Sequence, residues 1–115
     1  MDLTELARRN LLDVFGERDP EARAAAINEV FAENVTFTDP EEAVVGRAAL
    51  NEKAQRLLDS APGFVFSAAG EVRVAGNLAL LAWNFGPEGQ PPVASGTDVS
   101  IVEDGRITAL YTILG

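Results

Sequence analysis

Through the first sixty residues apolar positions recur at the spacing of a helix, and beyond residue 63 they recur at every second position. In LTELARRNLLDVFGER, Leu3, Leu6, Ala7, Leu11 and Val14 share one helical face, with Asp2 or Thr4 as candidate N-caps. A second helix begins at RDPEARAAAINEVFAEN, where Asp19 suits the N-cap and Pro20 the first helical position, and Ala26, Ile27, Val30 and Phe31 form the apolar stripe. A third spans GRAALNEKAQRLLDSAPG, with Ala49 or Leu50, Ala54, Leu57 and Leu58 inward and Pro62-Gly63 as its stop. Between the second and third helices, residues 34 to 39 read as a strand. Its inward face is Val35, Phe37 and Asp39, so an apolar face ends in a carboxylate directly before Pro40.

The later segments FVFSAAGEVRVA, LALLAWNFG, PVASGTDVSIVE and RITALYTIL read as strands separated by Gly76-Asn77, GPEGQPP and Asp104-Gly105. Helices followed by a meander of strands predict an α+β domain, three helices packed on one face of a curved antiparallel sheet. A two-residue loop at Asp104-Gly105 sets Val102 opposite Ile107, Ser100 opposite Ala109 and Asp98 opposite Tyr111. One face of that hairpin then carries an acid and a phenol among small residues. The same reasoning at Gly76-Asn77 sets Val72 opposite Leu81 and Gly70 opposite Trp83, a bulky wall beside a gap.

Composition narrows the chemistry. The 115 residues suit one domain, residues 1–115, and 47% apolar with 23% charged residues is a globular composition. No cysteine and no histidine are present, so thiolate chemistry and the commonest general base and metal ligand are absent, and proton transfer falls to carboxylates, Tyr111, Lys53 or water. A net charge of -9, with acids in excess in both halves, leaves no basic patch for nucleic acid or an anionic membrane. The start MDLTELARRN lacks the basic and apolar regions of a signal peptide, and no apolar run is long enough to span a membrane, so a cytoplasmic protein is expected. The acidic run DPEE has no spaced ligand loop, and neither a metal nor a cofactor is expected.

The order of elements, with FAENVTFTDP before VVGRAAL and GTDVSIVEDGRITALYTIL at the end, resembles the nuclear transport factor two-like superfamily, and within it the SnoaL-like polyketide cyclases and ketosteroid isomerases. That resemblance implies a cone-shaped fold, a small apolar ligand and a homodimer formed through the outer sheet face. It places the isomerases' proton-shuttling aspartate on Asp39 and their oxyanion-binding aspartate on Asp98. Their first-helix tyrosine falls near Leu11, where this chain has no phenol, and Tyr111 becomes the candidate donor in its stead.

The expected function is therefore an enzyme of proton-transfer type, an isomerase or cyclase acting on an apolar carbonyl-bearing or polycyclic substrate. Asp39 is the base, Asp98 is a neutral hydrogen-bond donor to the oxyanion, and Tyr111 orients Asp98; this division follows the ketosteroid isomerase pattern. Phe37, Phe66, Trp83, Phe85 and Ser100 line the substrate. Two alternatives remain open: an epoxide hydrolase-like enzyme, for which Asn84 lies on the opposite parity from Trp83, and a non-catalytic ligand-binding or dimerisation domain. For Asp39 the competing role is a turn carboxylate bonded to local backbone N–H groups. For Arg47, after Gly46, the choices are an anion contact at the cavity mouth or a solvated helix start.

Overall fold

A computed structural model describes residues 1–115. Helix α1 (Leu3–Arg9) starts where Asp2 accepts the Glu5 amide at 2.8 Å, with Glu5 in its first turn and Arg8 and Arg9 in its last, all favourable to the helix dipole. It runs on as a π-helical stretch, Asn10–Phe15, closed by the Gly16 amide reaching Leu11 O at 2.8 Å. A Cβ on Gly16 would lie 2.9 Å from Leu12 O and 3.0 Å from Leu11 O, so only glycine ends this wide turn without displacement. Helix α2 (Pro20–Val30) uses the predicted Asp19 cap and Pro20 start.

Helix α3 (Arg47–Ser60) follows Gly46, whose φ of 97° suits glycine. The Arg18 guanidinium donates to Leu58 O in the last turn of α3, to Ala61 O at its C-cap and to Phe64 O at the start of the following strand, at 2.7–3.0 Å. Arg47 likewise donates to Phe31 O and Asn28 O at the end of α2, so its guanidinium is committed to the fold. Arg23, fully buried, joins α2 to α3 through Asn51, Gln55 and the Glu17 carbonyl.

Seven strands, β1 (Phe31–Thr38), β2 (Ala43–Val45), β3 (Phe64–Ala68), β4 (Arg73–Ala75), β5 (Leu78–Pro87), β6 (Ala94–Glu103) and β7 (Arg106–Leu114), form one sheet. The order is β2-β1-β7-β6-β5-β3, with β4 also on β5. The sheet is mixed, because β1 runs parallel to β7 while every other pair is antiparallel. A turn dictates antiparallel pairing only between strands that it joins, and no short turn connects β1 to β7. The helices cover one face of this curved, unclosed sheet. Alternate residues Ala79, Leu81, Trp83 and Phe85 of β5 and Asp98, Ser100 and Val102 of β6 are buried. None of the helices is long and apolar enough to cross a membrane.

Two registers differ from those read from the sequence. The Asp104-Gly105 turn has two left-handed residues, φ 51° and 78°, and pairs Glu103 with Arg106 and Val102 with Ile107 as expected. One step on, Ile101 pairs with Ala109, leaving Thr108 as an extra residue whose hydroxyl donates to Ile101 O. This β-bulge exchanges the faces of everything beyond it, so Asp98 lies opposite Thr112, and Tyr111 lies opposite Val99 with its ring on the outer face. Residues 64 to 75 are two strands, not one. The break at Ala69–Val72, where Gly70 has φ 127°, puts Ala68 opposite Trp83 and leaves Gly70 and Val72 out of the ladder.

The glycine beside Trp83 is Gly96, its partner on β6. A Cβ there would fall 2.5 Å from Trp83 Cζ2 and 2.6 Å from Ile113 O, so the indole packs against the bare backbone of Gly96. Gly96→Val should destabilise the domain by about 1–3 kcal/mol through overpacking and shift the emission of Trp83, the sole tryptophan. Urea unfolding followed by tryptophan fluorescence checks this, and an unchanged midpoint with unchanged emission would contradict it.

Candidate functional site

The buried residues form two clusters, one centred on Val14, Ile27, Phe31, Val35 and Leu50, the other on Leu11, Leu81, Trp83 and Phe85. A cavity of about 690 Å³ draws its walls from both. The π-helical stretch supplies Leu11 and Phe15, β1 supplies Phe37, α3 supplies Leu57, and β3 and β5 supply Phe64, Phe66, Trp83 and Phe85. The aromatic walls hold one another: Phe66 stacks on Phe85 at 4.1 Å and meets Trp83 edge-on at 5.3 Å, while Phe15 and Phe37 lie 5.5 Å apart. The volume suits a small molecule.

Asp98 and Thr112 bring polar atoms to this wall. The Asp98 carboxylate, 7% exposed, accepts three hydrogen bonds from three elements. Trp83 Nε1 (3.0 Å) and Thr112 Oγ1 (2.7 Å) donate to Oδ1, and Asn10 Nδ2 (2.9 Å) donates to Oδ2. All three donors are neutral. Burial pushes the Asp98 carboxyl above the ordinary carboxylate range, and the bonds from Thr112, Trp83 and Asn10 oppose that rise without cancelling it. A carboxylate has about four acceptor positions, so the three donors leave one open, on Oδ2.

Asp39 lies at the cavity mouth in a different setting. Its Oδ1 accepts the amides of Glu41 (2.9 Å) and Glu42 (3.0 Å), the turn-carboxylate arrangement, while Oδ2 lies 2.8 Å from Lys53 Nζ. Burial would raise its pKa, but Lys53 and the two amides outweigh it and hold the acid below the usual range. Lys53 responds in kind, since burial lowers it and the bonds to Asp39 and Glu42, the latter at 2.9 Å, raise it further. Its ammonium also sits 6.0 Å from the Phe37 ring centre. The acids of DPEE thus gather on an ammonium, and no group of three or more acids is placed to hold a metal ion.

Of the residues singled out from the sequence, Asp39, Asp98, Phe37, Phe66, Trp83 and Phe85 line one cavity. Ser100 does not, being buried between Ala79 and Leu110 in the ladder. Tyr111, 45% exposed on the outer face, is not beside Asp98, and Thr112 occupies the position expected of it because of the Thr108 bulge. Asn10, Thr112 and the pairing of Lys53 were not anticipated. Asn10 had a signal, as the one polar member of the stripe running from Leu6 to Val14. Lys53 had a weaker one, three residues after Leu50 and four before Leu57 on the buried side of α3.

Among solved structures, the chain matches a candidate isomerase of the SnoaL-like family from Agrobacterium tumefaciens with a TM-score of 0.89 at 27% identity, covering 96% of this chain and 95% of that one. A candidate polyketide cyclase from Sinorhizobium meliloti matches with a TM-score of 0.75 at 24% identity, over 97% and 96% of the two chains. A candidate ketosteroid isomerase from Kribbella flavida matches with a TM-score of 0.69 at 23% identity, over 97% and 76%. No curated protein matches the chain. The family model for the SnoaL-like domain matches residues 9–110, from the residue before Asn10 to the inward-facing Leu110 of β7, and the chain belongs to the SnoaL-like family.

Proposed function

We propose that this protein is a proton-transfer enzyme, an isomerase or cyclase, acting on a small apolar carbonyl-bearing or polycyclic substrate, with Asp98 as the group that takes and returns the proton. The observation that carries this reading is a buried carboxylate on the wall of an aromatic cavity, held by three neutral donors with one acceptor position open. Without a cation to hold it ionised, such an acid has a raised proton affinity, which is what a base that works near neutral pH needs. Asp98 Oδ2 removes a proton from the carbon next to the substrate carbonyl, and the C–H electron pair passes into an enolate. Isomerisation returns that proton to another carbon. In cyclisation the enolate carbon attacks an electrophilic carbon of the same molecule, and Asp98 returns its proton to the oxygen formed there.

Asp39 fits a supporting role better than that of base. Each of its oxygens is bonded, and a carboxylate held below its ordinary pKa is a weak proton acceptor. It positions Lys53, whose ammonium supplies a cationic donor on the cavity wall for the enolate oxygen. Tyr111 belongs to another part of this proposal. With Ile113 and Val45, 59% and 65% exposed, it gives the outer sheet face an apolar patch suited to a second copy of the chain. A dimer should sediment at micromolar concentration, and Ile113→Asp should convert it to monomer; wild-type protein that sediments as a monomer would refute this pairing.

A bicyclic ketone, 1-tetralone, tests the chemistry through exchange of its α-protons in buffered D2O, read by NMR. The wild-type chain should accelerate exchange, Asp98→Asn should lose about 100-fold to 10,000-fold, as expected for a general base, and Tyr111→Phe should change little. Asp39→Asn should lose less than Asp98→Asn. The reverse order would return the role of base to Asp39. Quenching of Trp83 by the ketone without any exchange would favour a binding domain.

Stability should carry the same distinction with pH. Because the folded Asp98 binds its proton more tightly than the unfolded chain does, stability falls as pH rises from about the ordinary value of 3.8 to the higher folded value. Asp98→Asn should remove that fall and raise the melting temperature at pH 7. Asp39 acts oppositely, contributing stability that is present above 3.8 and lost as pH falls through its lower folded value. Lys53 contributes fully below 10.5 and loses that contribution as pH rises through its higher folded value. Asp39→Asn should therefore flatten the acid limb of the melting curve. Thermal unfolding from pH 3 to pH 8 reads both effects, and parallel acid limbs in the two variants would contradict the assignment.

A further inference from the structure

Asn10 is 1% exposed and lies in the apolar face of the first helix, where Leu6 and Val14 flank it at helical spacing. Its Nδ2 reaches Asp98 Oδ2 at 2.9 Å, and its Oδ1 has no hydrogen-bond partner. An unpartnered buried acceptor is costly, and a leucine at this position would carry none. The side chain is therefore poorly explained by packing and well explained by the one donor it offers. That donor meets the oxygen that also holds the open acceptor position, whereas Trp83 and Thr112 both bind the other oxygen. The π-helical stretch begins at Asn10 itself, and interruptions of this type mark functional positions in helices.

We propose that Asn10 is a positioning residue for Asp98, its amide orienting Oδ2 and thereby setting how readily that oxygen takes up a proton. The inference rests on the proton-transfer reading for its purpose, but its test does not need turnover. A hydrogen bond to a carboxylate favours the ionised form, so removing the donor favours the protonated form. No charged side chain competes with the neutral donors in this control, and Asn10 is the one donor on Oδ2. On the helix, Arg9 and Asp13 pair with each other, and Arg9 also reaches Glu29. The β5 and β7 partners, Trp83 and Thr112, are uncharged, and the charged groups of the cavity wall, Asp39, Glu41, Glu42, Lys53 and Arg56, form their own network at the mouth.

The experiment is a pH titration of the side-chain carboxyl carbons in protein labelled with ¹³C at aspartate Cγ, with Asp98→Asn to assign the resonance. In Asn10→Leu the Asp98 midpoint should move upward by about one pH unit, a tenfold gain in proton affinity. Asn10→Asp, which replaces the donor by a second acid, should move it at least as far. Packing alone would predict a loss of stability in Asn10→Leu with the midpoint unmoved, and that result would overturn the proposal. Should the variants fail to fold, the wild-type Asn10 side-chain amide resonances decide, since they should shift with pH at the Asp98 midpoint and the absence of any inflection there would refute the link. If the midpoint moves as expected but wild-type protein never catalyses 1-tetralone exchange, the proton-transfer reading fails while the role of Asn10 stands.

Discussion

A single carboxylate ties the two layers of this domain together. Asp98 lies on the inner face of β6, and its three hydrogen bonds come from the first helix, from β5 and from β7. An unpaired buried charge is costly, so an acid here needs several donors at good geometry, and each is brought by a separate feature of the chain. Asn10 arrives at the junction of α1 with its π-helical continuation. Trp83 can present its indole N–H because Gly96 leaves the space against which the ring lies. Thr112 reaches the carboxylate only because Thr108 bulges. The change of helix type, the glycine and the bulge each depart from the regular pattern, and all three serve one group.

The cavity follows from the same arrangement. Leu3, Leu57 and Phe66 pack against both apolar clusters, and the aromatic residues of the cavity wall lie edge-on or stacked on one another. A domain selected for stability alone would close a space of about 690 Å³, because unfilled volume forfeits dispersion contacts and apolar burial. Here a bonded wall of rings keeps it open, and the polar atoms of Asp98 and Thr112 face it on one side.

What the sequence disclosed divides by the range of the interactions that decide it. Helix starts at Asp2 and Asp19, the inward parity of Val35 and Phe37, and the turn at Asp104-Gly105 were legible because local spacing and turn chemistry settle them, whereas the strand ends at Thr38 and Asp39 lies in the loop beyond it. The position of Tyr111 was not. A single extra residue at Thr108 inverts the parity of the rest of β7, and no glycine or proline marks it in RITALYTIL. The parallel contact of β1 with β7 and the gathering of Asn10, Trp83 and Thr112 around Asp98 join segments far apart in the chain, and neither periodicity nor turn signals constrain such contacts. Asp39 lies on the cavity wall just after β1, but its Lys53 partner comes from α3, a contact no local pattern signals, and changes what the acid can do.

The two aspartates show how far environment, and not residue type, sets chemistry in this cavity. Both are partly or wholly withdrawn from water and each accepts three hydrogen bonds, yet their proton affinities move in opposite directions. The difference lies in the donors. An ammonium and two backbone amides at a strand end give Asp39 a full positive charge at 2.8 Å, while an amide, an indole and a hydroxyl give Asp98 only dipoles. Dipoles from neutral groups lessen the cost of burying a charge without removing it, so the acid deeper in the fold is left readier to accept a proton. The outer acid, already neutralised by Lys53, is suited to fixing that lysine on the wall. A pair of like residues is in this way separated into an acid of raised proton affinity and an acid held ionised beside a cation, with no change of side chain.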